Sequence, residues 1–176
     1  TFPDQLDTVV PSAVAAERAG ARVAVATKAA LQSCNSAKAQ GGIQAAVGDD
    51  DSPETHAQDV WASSHETADM RLVEILTSEA PETIHWLEEA GVEFTRENGG
   101  YRIARCGGAS RKRLLQVGDR TGHAITKALR KTIEGSTAET FPHSPLTDLE
   151  PTSSGWRARC GDHVIEAGAV ILAAGG

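Results

Sequence analysis

Short apolar runs separated by polar turns fill the amino-terminal part of the chain. Asp7–Val10 and Arg22–Thr27 are each predicted to form a β-strand, and Ser12–Ala19 between them is predicted to form a helix that ends at Gly20. A strand, a helix and a second strand make a βαβ unit, which is normally parallel and right-handed. This part of the chain is therefore expected to open an α/β fold.

The predicted unit lacks the loop that normally opens a dinucleotide-binding fold. Such folds carry G-x-G-x-x-G between the first strand and the helix, but Val10 is followed at once by Pro11 and no glycine precedes Gly20. Two interpretations are open: about seven residues are absent from the sequence at this point, or the chain lacks the loop and cannot hold a pyrophosphate there. The first is favoured, because a strand cannot reverse into a helix with almost no connecting residues.

The middle of the chain shows the spacing of apolar residues that is typical of helices. One helix is predicted to begin at Ser52-Pro53-Glu54, with a hydroxyl cap and a first-turn proline, and to run to about Ala62. A second is predicted near Thr67 and a third over Pro81–Ala90, which Gly91 ends. The three are expected to pack as one layer through Leu72, Val73, Leu76, Ile84, Trp86 and Leu87.

Histidines and cysteines give no metal-binding pattern. The histidines of the helical region are interpreted as surface or capping residues rather than ligands; they are His56, His65 and His85. The cysteines lie far apart, with no CxxC spacing, and predict neither a zinc site nor a disulfide framework; they are Cys34, Cys106 and Cys160. A reduced, cytoplasmic setting is the expectation.

The last part of the chain changes to a β pattern. Glu139–Leu149, Trp156–Cys160 and Val164–Ala167 are predicted as successive strands of a meander, and Ala169–Ala174 as an apolar strand deep in a parallel sheet. The predicted fold class is α/β, a doubly wound parallel sheet with a helical layer and a β-meander. Its segments are residues 1–48 (βαβ unit and ligand loop), 49–134 (helical layer and basic loop) and 135–176 (meander and core strand).

Composition narrows the class of partner. The chain has 176 residues, of which 40% are hydrophobic, and a formal net charge of −7. It is long enough to bury a real core, and its acidic balance argues against nucleic-acid binding. No apolar run approaches the roughly 20 residues of a membrane span, and no signal peptide is visible at Thr1–Val10. No direct membrane insertion is expected.

The segment Ser33–Ile43 is the strongest candidate for contact with a ligand. It is polar and rich in small residues, and it includes the glycine pair Gly41-Gly42, which lets another surface come close. It also follows the predicted strand Arg22–Thr27, and ligands of open α/β sheets bind at the carboxyl ends of strands. We interpret this segment as a cofactor-contact segment.

Two further segments have chemistry that the spacing leaves open. Five of the twelve residues at 102–113 are basic, so this segment is either a solvated loop or a positive surface that faces a cofactor phosphate or a carboxylate substrate. Asp119 or Thr121, at the start of a helix predicted over Ala124–Ile133, either caps that helix or accepts hydrogen bonds from a cofactor.

Six short motifs follow one another along nearly the whole chain. They lie at Gly20–Lys28, Asn35–Ile43, Glu79–Glu89, Gly107–Arg111, Gly118–His123 and Ile171–Gly176. Each motif alone is weak, whereas the ordered set resembles the FAD-binding domain of the succinate dehydrogenase/fumarate reductase flavoprotein family, which includes L-aspartate oxidase.

The resemblance implies FAD as the cofactor and assigns residues to its site. Thr27 and Lys28 are placed near the adenosine. The residues around the pyrophosphate and the flavin ring are Asn35, Ser36, Ala37, Ala39, Gln40, Gly41, Gly42 and Ile43. The pocket is completed by Asp119, by the region Ser144–Leu146, in which Leu146 is the assigned residue, and by Ala174 and Gly175. Asn35 stands where quinone-linked members carry the histidine that bonds covalently to flavin, so the resemblance implies non-covalent FAD.

The resemblance also implies an activity: hydride transfer between FAD and a C4 dicarboxylate. In this family the substrate-binding residues and the proton-transferring arginine follow the double glycine that stands here at Gly175-Gly176. No catalytic residue is therefore assigned in this sequence, and the chain alone is expected to be inactive. An iron–sulfur electron-transfer subunit is the implied protein partner, which would place the protein in the cytoplasm or at the cytoplasmic membrane face. The alternatives are an L-aspartate oxidase, and a non-catalytic fragment or assembly module without flavin.

Overall fold

The computed structural model describes residues 6–31 and 33–173 of the chain. Contacts divide the chain into two compact units. Unit 1 consists of Thr1–Lys38 and Ile125–Gly176, and unit 2 of Ala39–Ala124. The boundaries of the two units differ from those of the three predicted segments. None of the helices in the described residues is both long enough and apolar enough to cross a membrane.

The amino-terminal strand prediction is wrong. Residues Leu6–Arg18 form one continuous helix, α1, with Pro11 inside it. Val10 and Val14 lie on the same face and are both buried, so burial of this face offsets the backbone bond that Pro11 cannot donate. Because the chain does not reverse at Val10–Pro11, the steric reason for inferring absent residues there does not apply to this structure.

A small parallel sheet and an antiparallel meander form the β part of unit 1. Strand β1 (Ala24–Ala26) pairs in parallel with β7 (Glu139–Phe141), with Val25 opposite Thr140. The meander places β9 (Gly155–Cys160) between β8 (Leu146–Thr152) and β10 (His163–Ala167). Unit 1 thus confirms the predicted strand at Arg22–Thr27 in its central residues, and the predicted meander.

Two strand predictions in this region need correction. Glu139–Leu149 is two strands rather than one, because the stretch between Phe141 and Leu146 contains two prolines, which cannot donate to a sheet ladder. Within the described residues 169–173 there is no strand, and Ile171 and Leu172 are each 66% exposed. An apolar run forms a buried strand only where a neighbouring strand pairs with it, and neither β1 nor β7 pairs with this segment.

Two packed helices form one side of unit 2. Helix α2 spans Pro53–Ser63, and the Ser52 hydroxyl accepts a hydrogen bond from the Thr55 amide at its start. The second and third predicted helices are a single helix, α3, over Met70–Glu89, which continues through Pro81 and is capped by Asp69. One buried stripe runs along the whole of α3, which outweighs the cost of about 3 kcal/mol for an internal proline. The stripe consists of Val73, Thr77, Ile84 and Leu87.

The same stripe shows which predicted core residues are not in the core. Leu72 and Leu76 are 57% and 60% exposed, so the prediction that they pack is wrong for both, whereas Val73 beside them is buried. The helix ends at Glu89 with Ala90 as its C-cap, and Gly91 follows with φ of 101°, as expected of a glycine that stops a helix.

Short strands complete unit 2. Strand β6 (Leu114–Leu115) lies between β2 (Ile43–Gln44) and β5 (Ile103–Ala104), and both pairings are antiparallel. Strands β3 (Arg96–Glu97) and β4 (Gly100–Tyr101) form a hairpin whose two turn residues, Asn98 and Gly99, both have positive φ. The fourth helix, α4, spans Thr121–Glu134 and so begins three residues before its predicted start.

Candidate functional site

Four exposed residues immediately before β2 form the centre of the candidate site in unit 2. We call Ala39, Gln40, Gly41 and Gly42 the glycine strip. No residue of the strip lies in a helix or a strand. Ile43, the last member of the predicted set in this segment, is half-buried and begins β2. The strip therefore leads out of a small sheet and presents its backbone to solvent.

The glycine strip is held at both ends by other parts of unit 2. At its start, the Gly122 amide in the first turn of α4 donates a hydrogen bond of 3.0 Å to the Ala39 carbonyl. At its end, Gly42 lies so close to β6 that an added Cβ would be 2.2 Å from the carbonyl oxygen of Leu115. The strip is thus a fixed surface rather than a loose loop.

The two glycines of the strip have different reasons to be glycine. An added Cβ at Gly41 would have no atom within 4 Å, whereas one at Gly42 would overlap the β6 backbone. Close approach of β6 accounts for Gly42 without any ligand. Gly41 leaves open space over the backbone, which is the feature that a flat ligand requires.

Asp119 lies near the start of the strip. It is exposed, in a turn that the Arg120 amide closes by donating to the Val117 carbonyl, and three residues later Gly122 makes its bond to Ala39. Thr121, the first residue of α4, accepts a hydrogen bond of 3.0 Å from the Val117 amide. Unit 2 therefore brings Asp119 and the glycine strip to the same region.

The basic segment at residues 102–113 is exposed at four of its five basic residues, and Arg113 is the exception. The side chain of Arg113 is fully buried, and its Nε and Nη2 lie 2.7 Å and 2.8 Å from the two carboxylate oxygens of Asp51. Its Nη1 lies 2.5 Å from Asp59 in α2. Arg113 therefore forms internal ion pairs and offers no charge to a ligand, while Arg111 donates to the Asp50 carbonyl.

The charges of this buried cluster are mutually stabilised. The hydrogen bonds from Arg113 hold the pKa of Asp51 below its usual range, against the opposing effect of burial. Burial also opposes ionisation of Asp59, but hydrogen bonds from the Ser110 amide and hydroxyl, at 2.8 Å and 2.9 Å, and from Arg113 lower its pKa. Both aspartates are ionised at neutral pH.

His56 corrects a further interpretation. It is 4% exposed, not a surface residue, and among the described residues its Nδ1 has no hydrogen-bond partner. Burial lowers the pKa of His56, and the Arg113 guanidinium lowers it further, so the imidazole is neutral. The surface interpretation is confirmed for His65 and for His85, whose Nδ1 lies 4.0 Å from Glu88.

Unit 1 brings together a second part of the predicted set. Thr27 follows β1 and is buried; its amide donates to the Phe141 carbonyl and its carbonyl accepts from the Ser144 amide at 2.7 Å. Leu146 lies two residues after Ser144, at the start of β8, and is 45% exposed. Thr27 and Leu146 thus flank the carboxyl ends of the parallel strands, where open α/β sheets bind ligands.

The remaining predicted residues of unit 1 follow Thr27 along the chain. Lys28 is half-buried, Asn35 is exposed, and a short 3-10 helix over Ser36–Lys38 contains Ser36 and Ala37, which are half-buried. The Asn35 carbonyl accepts the Lys38 amide at 2.9 Å. The predicted contacts at Ala174 and Gly175 lie outside the described residues.

The chemistry of these residues can be compared with the parts of FAD. In unit 2, open space over Gly41 and the exposed polar group of Gln40 suit a flat ring with amide edges. In unit 1, the end of β1 suits a nucleoside. Within residues 6–31 and 33–173, no G-x-G-x-x-G turn precedes a helix, so a pyrophosphate has no backbone cradle of that kind. The residues present fit the two ends of FAD.

Comparison with known proteins gives consistent results. The profile of the family described as FAD binding domain matches residues 11–176. L-aspartate oxidase of Streptomyces coelicolor is 33% identical over 178 residues, covering 94% of this chain and 31% of that protein. One chain of the fumarate reductase (CoM/CoB) of Methanothermobacter marburgensis is 37% identical over 115 residues, covering 63% of this chain and 21% of that protein.

A solved structure agrees with the sequence matches. The Sdh1 complex of Mycobacterium smegmatis in its apo form contains a chain that superposes with a TM-score of 0.78 and 28% identity, covering 85% of this chain and 28% of that one. The α/β fold class predicted from the sequence is confirmed by this likeness. The chain spans less than a third of the length of each of these three relatives.

Proposed function

This chain belongs to the FAD binding domain family, as the FAD-binding part of a flavoprotein oxidoreductase, and we propose that the intact protein transfers hydride between FAD and a C4 dicarboxylate. The observation that carries this proposal is the glycine strip. It is exposed, fixed at Ala39 and Gly42, and open over Gly41. Such a surface can support one face of a flavin ring without moving.

Each group of site residues has a distinct task in this proposal. Thr27 and Lys28, at the end of β1, hold the adenosine. The glycine strip supports the flavin ring, and Asp119 accepts hydrogen bonds from the cofactor. Exposed backbone amides and carboxylates orient a ligand at little cost when the structure already fixes them.

FAD, when bound, supplies the hydride chemistry. The residues of this chain orient the ring, and β6 supports the strip at Gly42, where the Leu115 carbonyl lies against it. None of the residues described here is assigned the proton transfer. We place the substrate-binding and proton-transferring groups elsewhere in the intact protein. We also propose that the intact protein contacts an iron–sulfur subunit and lies at the cytoplasmic membrane face.

The experiment that tests this function is anaerobic reduction of the purified intact protein. Succinate is expected to bleach the bound flavin at least tenfold faster than L-aspartate does, because a site built for an unsubstituted C4 dicarboxylate has no partner for the ammonium group of L-aspartate. Glutarate, which has one more methylene, is the matched control and should bleach it far more slowly. A protein that binds no flavin at all would refute the proposal.

A second candidate function is L-aspartate oxidation. The observation that favours it is the 33% identity to the Streptomyces coelicolor L-aspartate oxidase over 94% of this chain. Faster bleaching by L-aspartate than by succinate in the same assay would establish this candidate in place of the first. The residues that hold FAD would keep the same tasks.

We predict that FAD is bound without a covalent bond. An asparagine amide is a poor nucleophile and Asn35 offers no imidazole, so acid precipitation of the intact protein should leave essentially all flavin in the supernatant. The measurement is the flavin absorbance of supernatant and washed pellet. Asn35→Ala is the matched variant. Because Asn35 is exposed, this substitution should change the unfolding free energy of the protein by less than about 0.5 kcal/mol. Flavin retained in the pellet would contradict the prediction.

A further inference from the structure

We propose that Arg113 is a positioning residue for FAD, acting through β6 on the glycine strip; the inference rests on the proposed function. Arg113 lies immediately before β6. Its amide donates to the Ala104 carbonyl at 3.2 Å, and its carbonyl accepts from the Ala45 amide at 3.0 Å. Its backbone is therefore bonded to segments on both sides of β6.

The side chain of Arg113 ties this sheet to α2. It makes two bonds to Asp51, just before the helix, and one to Asp59, within the helix. Asp59 also accepts two hydrogen bonds from Ser110, three residues before Arg113. The guanidinium thus fixes where the sheet lies relative to the helix, in a place from which solvent is excluded.

The strip takes its position from the same strand. Leu115, two residues after Arg113, pairs with Ile43 in β2, and its carbonyl lies against Gly42. Any displacement of β6 therefore moves the surface against which the end of the strip rests. Because a ligand site loses affinity when its contact atoms move by a fraction of an ångström, loss of the Arg113 bonds should weaken FAD binding at a distance.

The test compares FAD binding by variants of the intact protein. Arg113→Lys keeps the positive charge but cannot bond both oxygens of Asp51 and Asp59 together. Glu88→Gln is the matched control, because Glu88 accepts bonds from Tyr101 and Arg96 in the same unit and takes no part in this path. Far-UV circular dichroism establishes folding, flavin fluorescence gives the FAD Kd, and the visible spectrum and reduction potential report the ring environment.

Arg113→Lys is expected to fold, to bind FAD about tenfold more weakly and to shift the visible band and the potential of the bound flavin. Glu88→Gln should leave all three at their wild-type values. A folded Arg113→Lys protein with the wild-type Kd, spectrum and potential would overturn the inference.

Two further outcomes are assigned in advance. If Arg113→Lys does not fold, Ser110→Ala replaces it: the loss of one bond to Asp59 should weaken FAD binding about threefold, and an unchanged Kd would overturn the inference. Wild-type protein that does not bind FAD refutes the proposed function and this inference with it. If the wild-type protein binds FAD and the variants bind it with the same Kd, this inference is refuted and the proposed function is not.

Discussion

Arg113→Met is expected to lower the free energy of unfolding by about 4 kcal/mol at pH 7. Removal of the guanidinium leaves the fully buried carboxylate of Asp51 and the 17% exposed carboxylate of Asp59 without a cation, and an uncompensated buried charge costs far more than the original pair contributes. Urea unfolding followed by circular dichroism measures the change. Arg96→Met, which breaks an exposed ion pair with Glu88, is the control and should cost less than about 1 kcal/mol.

The same variant should reverse the pH dependence of stability. In the wild type, Arg113 holds the pKa of Asp51 below its unfolded value, so this contribution is present above the unfolded pKa of about 3.9 and is lost as pH falls through the folded pKa. In Arg113→Met, burial still raises the pKa of both carboxylates. Only the bonds from Ser52 to Asp51 and from Ser110 to Asp59 remain to oppose it, so acid relieves part of the cost. The stability gap between the two proteins should therefore narrow from pH 7 to pH 4. A gap that stays constant would contradict the assignment of its cause to these carboxylates.

Gly42→Ala is expected to lower the free energy of unfolding by about 3 kcal/mol. The new Cβ would lie 2.2 Å from the Leu115 carbonyl oxygen and 2.9 Å from two side-chain atoms, of Gln116 and Leu114. The side chains can move, but the carbonyl cannot move without opening the pairing of β2 with β6. Thermal and urea unfolding measure the loss.

Gly41→Ala is the matched control for this prediction. The substitution is chemically identical and lies one residue away, but the added Cβ would have no atom within 4 Å. Its unfolding free energy should change by less than about 0.5 kcal/mol. Equal losses at both glycines would show that the difference in space does not decide stability here.

Local signals in the sequence predicted local structure well. The start of α2 followed from Ser52-Pro53-Glu54, and the end of α3 from Gly91. Each of these depends on the conformation of a few adjacent residues, which the side-chain types restrict directly.

Features that depend on distant residues were not predictable in the same way. The apolar run Asp7–Val10 has the composition of a strand, but whether it forms one depends on a strand beside it. The pairing of Arg113 with Asp51 and Asp59 joins residues far apart in sequence, so the sequence alone did not indicate that Arg113 is buried. The three consecutive aspartates at Asp49–Asp51 are a sequence feature that could have suggested a partner for a buried arginine.

The candidate site shows the same division. The sequence indicated that Gly41 and Gly42 allow a close approach, and the structure assigns that approach at Gly42 to the protein itself. Nothing in the sequence indicated that the Gly122 amide would hold the Ala39 carbonyl in place. A motif names the residues that a close contact requires, but only the packing identifies the contact.

The order of the two units along the chain has a consequence for folding. Unit 2 is one continuous stretch, whereas unit 1 joins the two ends of the chain, and its β1 pairs with β7 across the whole of unit 2. Closing so long a loop costs entropy before any contact repays it. During synthesis, unit 2 can complete its contacts as soon as Ala124 is available, while β1 waits for β7 with its hydrogen-bonding edge unpaired. Collapse of unit 2 brings those ends closer and lowers the entropy lost when they meet.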